Sequence, residues 1–201
     1  SDLALGDALS LPVYPSSPET DPIALRFLSQ PVISHGRWAI QSPVTLKNAH
    51  PFLDSRGHRA MVLNGQYSAE VEAKVKDFLS QTAGISFRTG NSTEYHCLLW
   101  GCYYENLRTE KRRYDDIRSA IDAGFDEMEI GSKAIDYSVY QRVKNKTDEQ
   151  LDEMAFLEAT RFMARKGGQI AVSGISLHSS RRFYAAAHNR PCFIVKSAAS
   201  N

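Results

Sequence analysis

The chain has 201 residues, 42% hydrophobic and 23% charged, the balance of a soluble globular domain and not of a disordered or collagen-like chain. Its 24 basic and 23 acidic residues give a formal net charge of +1, so no overall field draws it to nucleic acid or to an anionic membrane. Cys97, Cys102 and Cys192 are sparse, form no CxxC pair and have no histidine at zinc-finger spacing, which speaks against a disulfide scaffold and against a structural metal.

Residues 1–22 carry Pro12, Pro15, Pro18 and Pro22 and are expected as an irregular arm. The stretch Ser1 to Glu19 has neither a basic n-region nor an apolar h-region, and no apolar run approaches the ~20 residues that span a bilayer. A cytoplasmic chain is expected. Ile23 to Gln30 suits a short helix, Pro31 to Ile40 a strand running into a loop, and residues 41–57 a loop. His58 to Leu63 is a short apolar run that ends at Asn64-Gly65, a turn signal.

Val71, Val75, Phe78 and Leu79 then mark an amphipathic helix over Ser68 to Thr82, with Gly84 placed to stop it. Ile85 to Arg88 suits a short strand, and Ser92 to Asn106 a mostly buried helix. Residues 107–146, where charged stretches alternate with modest apolar positions, suit a helical insertion. Thr147-Asp148-Glu149-Gln150 is a capping box that opens a long helix, closed by Gly167-Gly168. Strands are expected at Gln169–Leu177, Arg182–Ala187 and Pro191–Lys196, with hairpin turns at His178–Arg181 and His188–Arg190. This order fits an α+β layered domain better than a βαβ alternation.

Three segments occur in an order that carries a resemblance. The first is Gly36-Arg37-Trp38-Ala39 followed by Asn48-Ala49-His50-Pro51-Phe52. The second is Met61-Val62-Leu63-Asn64-Gly65-Gln66 ahead of a helix, and the third is Phe87 to Glu94, FRTGNSTE. Together they resemble class II glutamine amidotransferases, of the N-terminal-nucleophile type, over about residues 31–106 and 168–196. The resemblance implies a four-layer αββα sandwich and a single domain over 1–201, expected to be incomplete at its N-terminus and also at its C-terminus, that holds the insertion 107–146. It implies a glutaminase: hydrolysis of the glutamine side-chain amide, with the ammonia passed to a synthase domain or subunit, and no metal or organic cofactor.

In that family an N-terminal cysteine attacks the amide while its own α-amine acts as base, so one residue supplies nucleophile and base. The tetrahedral oxyanion needs preorganised donors, and the resemblance assigns them to the Asn64 amide and the Gly65 N–H. It assigns Arg37 to the substrate carboxylate, which a guanidinium grips bidentately, Trp38 to the loop over the pocket, and Ser92 to the substrate-binding turn.

The chain also departs from the pattern. It opens Ser1-Asp2-Leu3, with no cysteine before Cys97. The nucleophile is therefore expected outside this chain, with Ser1 as the alternative nucleophile acting on another amide. Ser92 stands where the family has an aspartate for the α-ammonium, and Leu63 where it has a histidine. These departures also allow a degenerate scaffold or regulatory module. Each candidate has a plainer reading: Asn64-Gly65 as a β-turn, Arg37 as an ion-pair partner, Trp38 as core, His50 as structural, and Cys97 and Cys102 as inert core.

Overall fold

The computed structural model describes residues 33, 45–122, 137–179 and 182–190, all within the unit Val32–Asn201. The helix expected at 23–30, the strand expected at 191–196 and, but for Ile33, the strand expected at 31–40 lie outside the described residues. So do Ser1, Arg37 and Trp38.

The described part is mixed α+β. Four strands, β1 (Phe52–Leu53), β2 (Arg59–Gln66), β3 (Gln169–Ser176) and β4 (Tyr184–His188), form one antiparallel sheet in that order. The helices are α1 (Ala69–Asp77), α2 (Ser92–Asp122), α3 (Tyr137–Val143) and α4 (Asp148–Met163). In β3 the residues Ile170, Val172, Gly174 and Ser176 are buried and alternate with half-buried ones, the period of two expected when one sheet face meets the core. Register places Met61 opposite Gly174 and Leu63 opposite Val172, so these share the face that α2 and α4 cover. Gly174 is needed there: a Cβ would sit 2.7 Å from Cζ3 of Trp100, whose indole N–H is held by the Asp152 carbonyl at 3.1 Å.

Several local expectations give way to long-range pairing. The Asn64-Gly65 turn signal lies inside β2, opposite Ala171 and Ile170. The loop expected at 41–57 holds a 3-10 turn, Leu46–Asn48, and β1, because Phe52 gains burial opposite Met61. Ile85–Arg88 forms no strand. Its amides go elsewhere: Ile85 N–H to the Leu79 carbonyl, and Arg88 N–H to the Glu94 carboxylate. The helix expected to stop at Asn106 runs on to Asp122, so the start of the expected insertion is the continuation of α2.

Other signals hold. Ser68 caps α1 by accepting from Val71 N–H; the helix then widens into a π turn, Phe78–Thr82, ahead of Gly84 at φ +64°. The capping box closes in both directions, Gln150 N–H to Thr147 Oγ1 and Thr147 N–H to Gln150 Oε1.

Buried polar contacts fix how helices and sheet run. Arg59, at the start of β2, is fully buried; its Nε donates to Asp152 Oδ1 at 2.7 Å and its Nη1 to Asp54 Oδ2 at 2.9 Å. Its guanidinium lies 4.1 Å from the Tyr104 ring centroid and 5.6 Å from that of Trp100. At the other end of β2, Tyr67 meets His96 of α2, which meets Thr160 of α4. Residues 59, 104 and 152 thus share one end, and 67, 96 and 160 the other. It follows that α2 runs against β2 and α4 runs with it.

Replacing one partner of a buried, hydrogen-bonded ion pair leaves uncompensated charge, typically about 3–5 kcal/mol of destabilisation. Asp152→Ala is expected to lose about that much in urea unfolding at neutral pH. A loss under about 1 kcal/mol would mean that Arg59 does not depend on Asp152.

Candidate functional site

One end of the sheet gathers the candidate residues that the structure describes. β2 leaves the sheet there through Asn64, Gly65 and Gln66, all exposed. By strand alternation Asn64 lies on the face away from α2 and α4. Gly65 has φ +137°, and a Cβ on it would lie 1.9 Å from the Gln169 carbonyl oxygen. Only glycine fits, because a side chain would meet the backbone at the start of β3. This gives Gly65 a structural reason to be glycine, independent of any ligand.

Because α2 runs against β2, its N-terminus lies at this same end, so Ser92 is brought to the end that carries Asn64 and Gly65. The preceding turn is tightly held. The Glu94 carboxylate, 3% exposed, accepts Arg88 N–H at 2.7 Å, Thr89 N–H at 2.8 Å and the Thr89 hydroxyl at 2.7 Å. Thr89 Oγ1 in turn accepts Asn91 N–H, and Asn91 Oδ1 caps Thr93 N–H at 2.9 Å. Thr93, fully buried, pairs its hydroxyl with His50 Nε2 at 2.9 Å, so His50 docks the Asn48–Phe52 segment onto the start of α2. That contact suits the structural reading of His50. The Ser92 hydroxyl makes no hydrogen bond among the described residues, and no hydrogen bond joins it to Asn64.

The chemistry available at this end is electrostatic. A helix N-terminus favours negative charge nearby, and at α2 that place is taken by the Glu94 carboxylate, with the Thr93 N–H capped by Asn91 Oδ1 and the Glu94 and Tyr95 N–H groups by the Asn91 carbonyl. The start of the 31-residue α2 lies under one face of the sheet, and the Asn64 side chain points from the other. Neither described cysteine is an activated thiol. Cys97 is buried beneath the sheet, its thiol donating to the Arg59 carbonyl at 3.7 Å, and burial raises its pKa well above the ordinary value. Half-buried Cys102 is pushed up to about 11, first by burial and then by Asp54 and Glu105. Both are therefore thiols at neutral pH, as the inert reading of them expects.

Two buried networks escape sequence reasoning. In the first, Tyr67 OH lies 2.5 Å from His96 Nδ1, and His96 Nε2 lies 3.1 Å from Thr160 Oγ1. Burial drives the His96 pKa down to about 3 and the Tyr67 pKa well above its ordinary value, so both stay neutral. A proton order in which Tyr67 donates to Nδ1 and Nε2–H donates to Thr160 satisfies every group in the chain. The sequence signal was a histidine in the middle of an otherwise apolar helical stripe.

The second network lies at the Arg59 end. Tyr184 OH bonds Ser179 Oγ at 2.6 Å and reaches Asp152 Oδ2 at 3.4 Å, while Tyr104 stacks on His178 with ring centroids 4.6 Å apart. There His58 Nδ1, Arg59 Nη2, Tyr104 OH and His178 Nε2 are buried without a hydrogen-bond partner. The two carboxylates compensate the guanidinium charge through Nε and Nη1, while these four polar atoms find no partner among the described residues.

Among the described residues no group of three or more His, Cys, Asp or Glu could hold a metal ion, and no helix is long and apolar enough to cross a membrane. No family model matches the chain, and no curated protein matches it.

The His96 environment has a pH consequence. A free histidine titrates near 6.5 and folded His96 near 3, so between those values the unfolded state binds the extra proton. Its contribution is therefore full above about pH 6.5 and lost as pH falls toward 3, at about 1.4 kcal/mol per pH unit. His96→Gln keeps one acceptor and one donor without titrating. Unfolding free energies at pH 7.5 and 4.5 should differ by about 2–3 kcal/mol more in wild type than in His96→Gln. Equal differences would contradict the buried, neutral imidazole.

Proposed function

We propose that this chain is the glutaminase part of a class II glutamine amidotransferase, built on the four-layer αββα sandwich and hydrolysing the side-chain amide of glutamine, or of a related small amide, to a carboxylate and ammonia. Such a reaction uses an N-terminal cysteine as nucleophile, and the ammonia goes to a synthase domain or subunit.

The observation that carries the reading is the exposed Asn64-Gly65 end of β2, with Gly65 held at φ +137° against the Gln169 carbonyl. A tetrahedral intermediate of amide hydrolysis carries an oxyanion, which needs donors fixed before the reaction. The Asn64 amide and the Gly65 N–H supply them at the exposed end of β2. The outer sheet face supports the layered fold. Its Ala60, Val62, Ala171, Ser173 and Ile175 are buried or half-buried, mostly small side chains that suit a second sheet laid across them.

Ser92 favours a second reading, a scaffold without turnover. A hydroxyl in place of a carboxylate forfeits a charge-assisted hydrogen bond to an α-ammonium, worth about 1.5–3 kcal/mol.

The test is turnover of glutamine by the full-length native protein, with ammonia measured directly. Asn64→Ala should lower kcat about 100- to 1000-fold while leaving the unfolding midpoint within a degree or so of wild type, since Asn64 is exposed. Unchanged turnover in that variant would remove Asn64 from the oxyanion role. A wild type that releases no ammonia from glutamine or from simple ω-amides would leave the scaffold reading.

A further inference from the structure

We infer that Tyr67, acting through His96 and Thr160, is a positioning residue for the Asn64-Gly65 strand end; the inference rests on the reading of Asn64 and Gly65 as oxyanion donors.

An oxyanion hole works only if its donors are already in place, yet the Asn64 side chain makes no hydrogen bond among the described residues. Its position is therefore set by its backbone alone. On one side that backbone is fixed by pairing, Asn64 opposite Ala171, Gly65 opposite Ile170 and Gln66 opposite Gln169. The strand ends at Gln66, and beyond it the next fixed point is Tyr67.

Tyr67 is 3% exposed, two residues past Gly65, and immediately ahead of the Ser68 cap of α1. Its ring meets the His96 ring edge-on, with centroids 5.6 Å apart and planes at 80°, and its hydroxyl lies 2.5 Å from Nδ1. His96 is fully buried on α2, and its other nitrogen reaches Thr160 on α4. One hydrogen-bonded chain thus ties the exit of β2 to both helices under the sheet. Packing alone does not require a phenol here, since a phenylalanine ring would fill the same space. The hydroxyl fixes how far the strand end can slide over α2.

Displacements of about 1 Å at a reacting centre can lower rates by about 100-fold. An interaction that acts only in the transition state lowers kcat and leaves KM. In the full-length native protein Tyr67→Phe should therefore lower kcat for glutamine about 10- to 100-fold with KM unchanged. His96→Leu, which removes the acceptor, should reproduce the loss, and His96→Gln, which keeps acceptor and donor, should restore most of it.

Thermal midpoints, measured on the same samples, separate the alternatives. A folded Tyr67→Phe with wild-type kcat overturns the inference, whatever its midpoint. Should the wild type release no ammonia, the function reading fails but this inference is still read by NMR. The Gly65 backbone amide and the Asn64 side-chain amide should shift in Tyr67→Phe and keep their positions in His96→Gln. Unmoved resonances in Tyr67→Phe would overturn the positioning role.

Discussion

A guanidinium with no access to water has to be neutralised where it lies, and Arg59 is neutralised by carboxylates from two distant stretches of chain. Asp54 precedes β2 by one turn, while Asp152 comes from the first turns of α4. Gly101 of α2 faces the Asp54 carboxylate; a Cβ there would stand 3.1 Å from Oδ2, tight by a few tenths of an ångström. The Asp152 backbone also holds the Trp100 indole, which in turn requires Gly174 opposite it. One buried cation therefore meets residues of α2, of α4 and of the turn ahead of β2. Such a network need not add net stability over an apolar core of the same shape. Arg59 lies at one end of β2, whose pairing with β3 runs from Arg59 opposite Ser176 to Gln66 opposite Gln169 and includes Asn64 and Gly65.

Much of the secondary structure was legible in the residues, and the exceptions share a cause. The α1 stripe, the Thr147–Gln150 capping box and the alternation of β3 are local signals, and each formed as its pattern implies. Asn64-Gly65 is also a local signal, for a hairpin, but β2 finds its partner in β3 from far along the chain, and pairing overrides turn propensity. Ile85–Arg88 has strand-like residues, yet the Glu94 carboxylate claims the amides that a strand would need. The length of α2 was missed because its later half is polar, and a polar helix carries little hydrophobic period.

The candidate site was legible in part, through the motifs that resemble amidotransferases. Asn64, Gly65 and Ser92 come to one end of the sheet because α2 runs against β2, a fact that no spacing in the sequence states. What holds them was not legible. Glu94 pins the turn before Ser92, and Tyr67, His96 and Thr160 tie the strand exit to the core. These are pairings across 29 and 64 positions, made by residues that individually look like ordinary core. Arg37, Trp38 and Ser1 lie outside the described residues, and their roles stay with the resemblance.

The most direct measurement is covalent trapping of the full-length native protein with an electrophilic glutamine analogue, read by intact mass. A glutaminase of this type forms an acyl-enzyme through one nucleophile, so a single label should be incorporated, and excess glutamine should protect against it. A mass that stays unchanged, or labels that accumulate regardless of glutamine, would contradict an amide-hydrolysing site at the Asn64-Gly65 strand end.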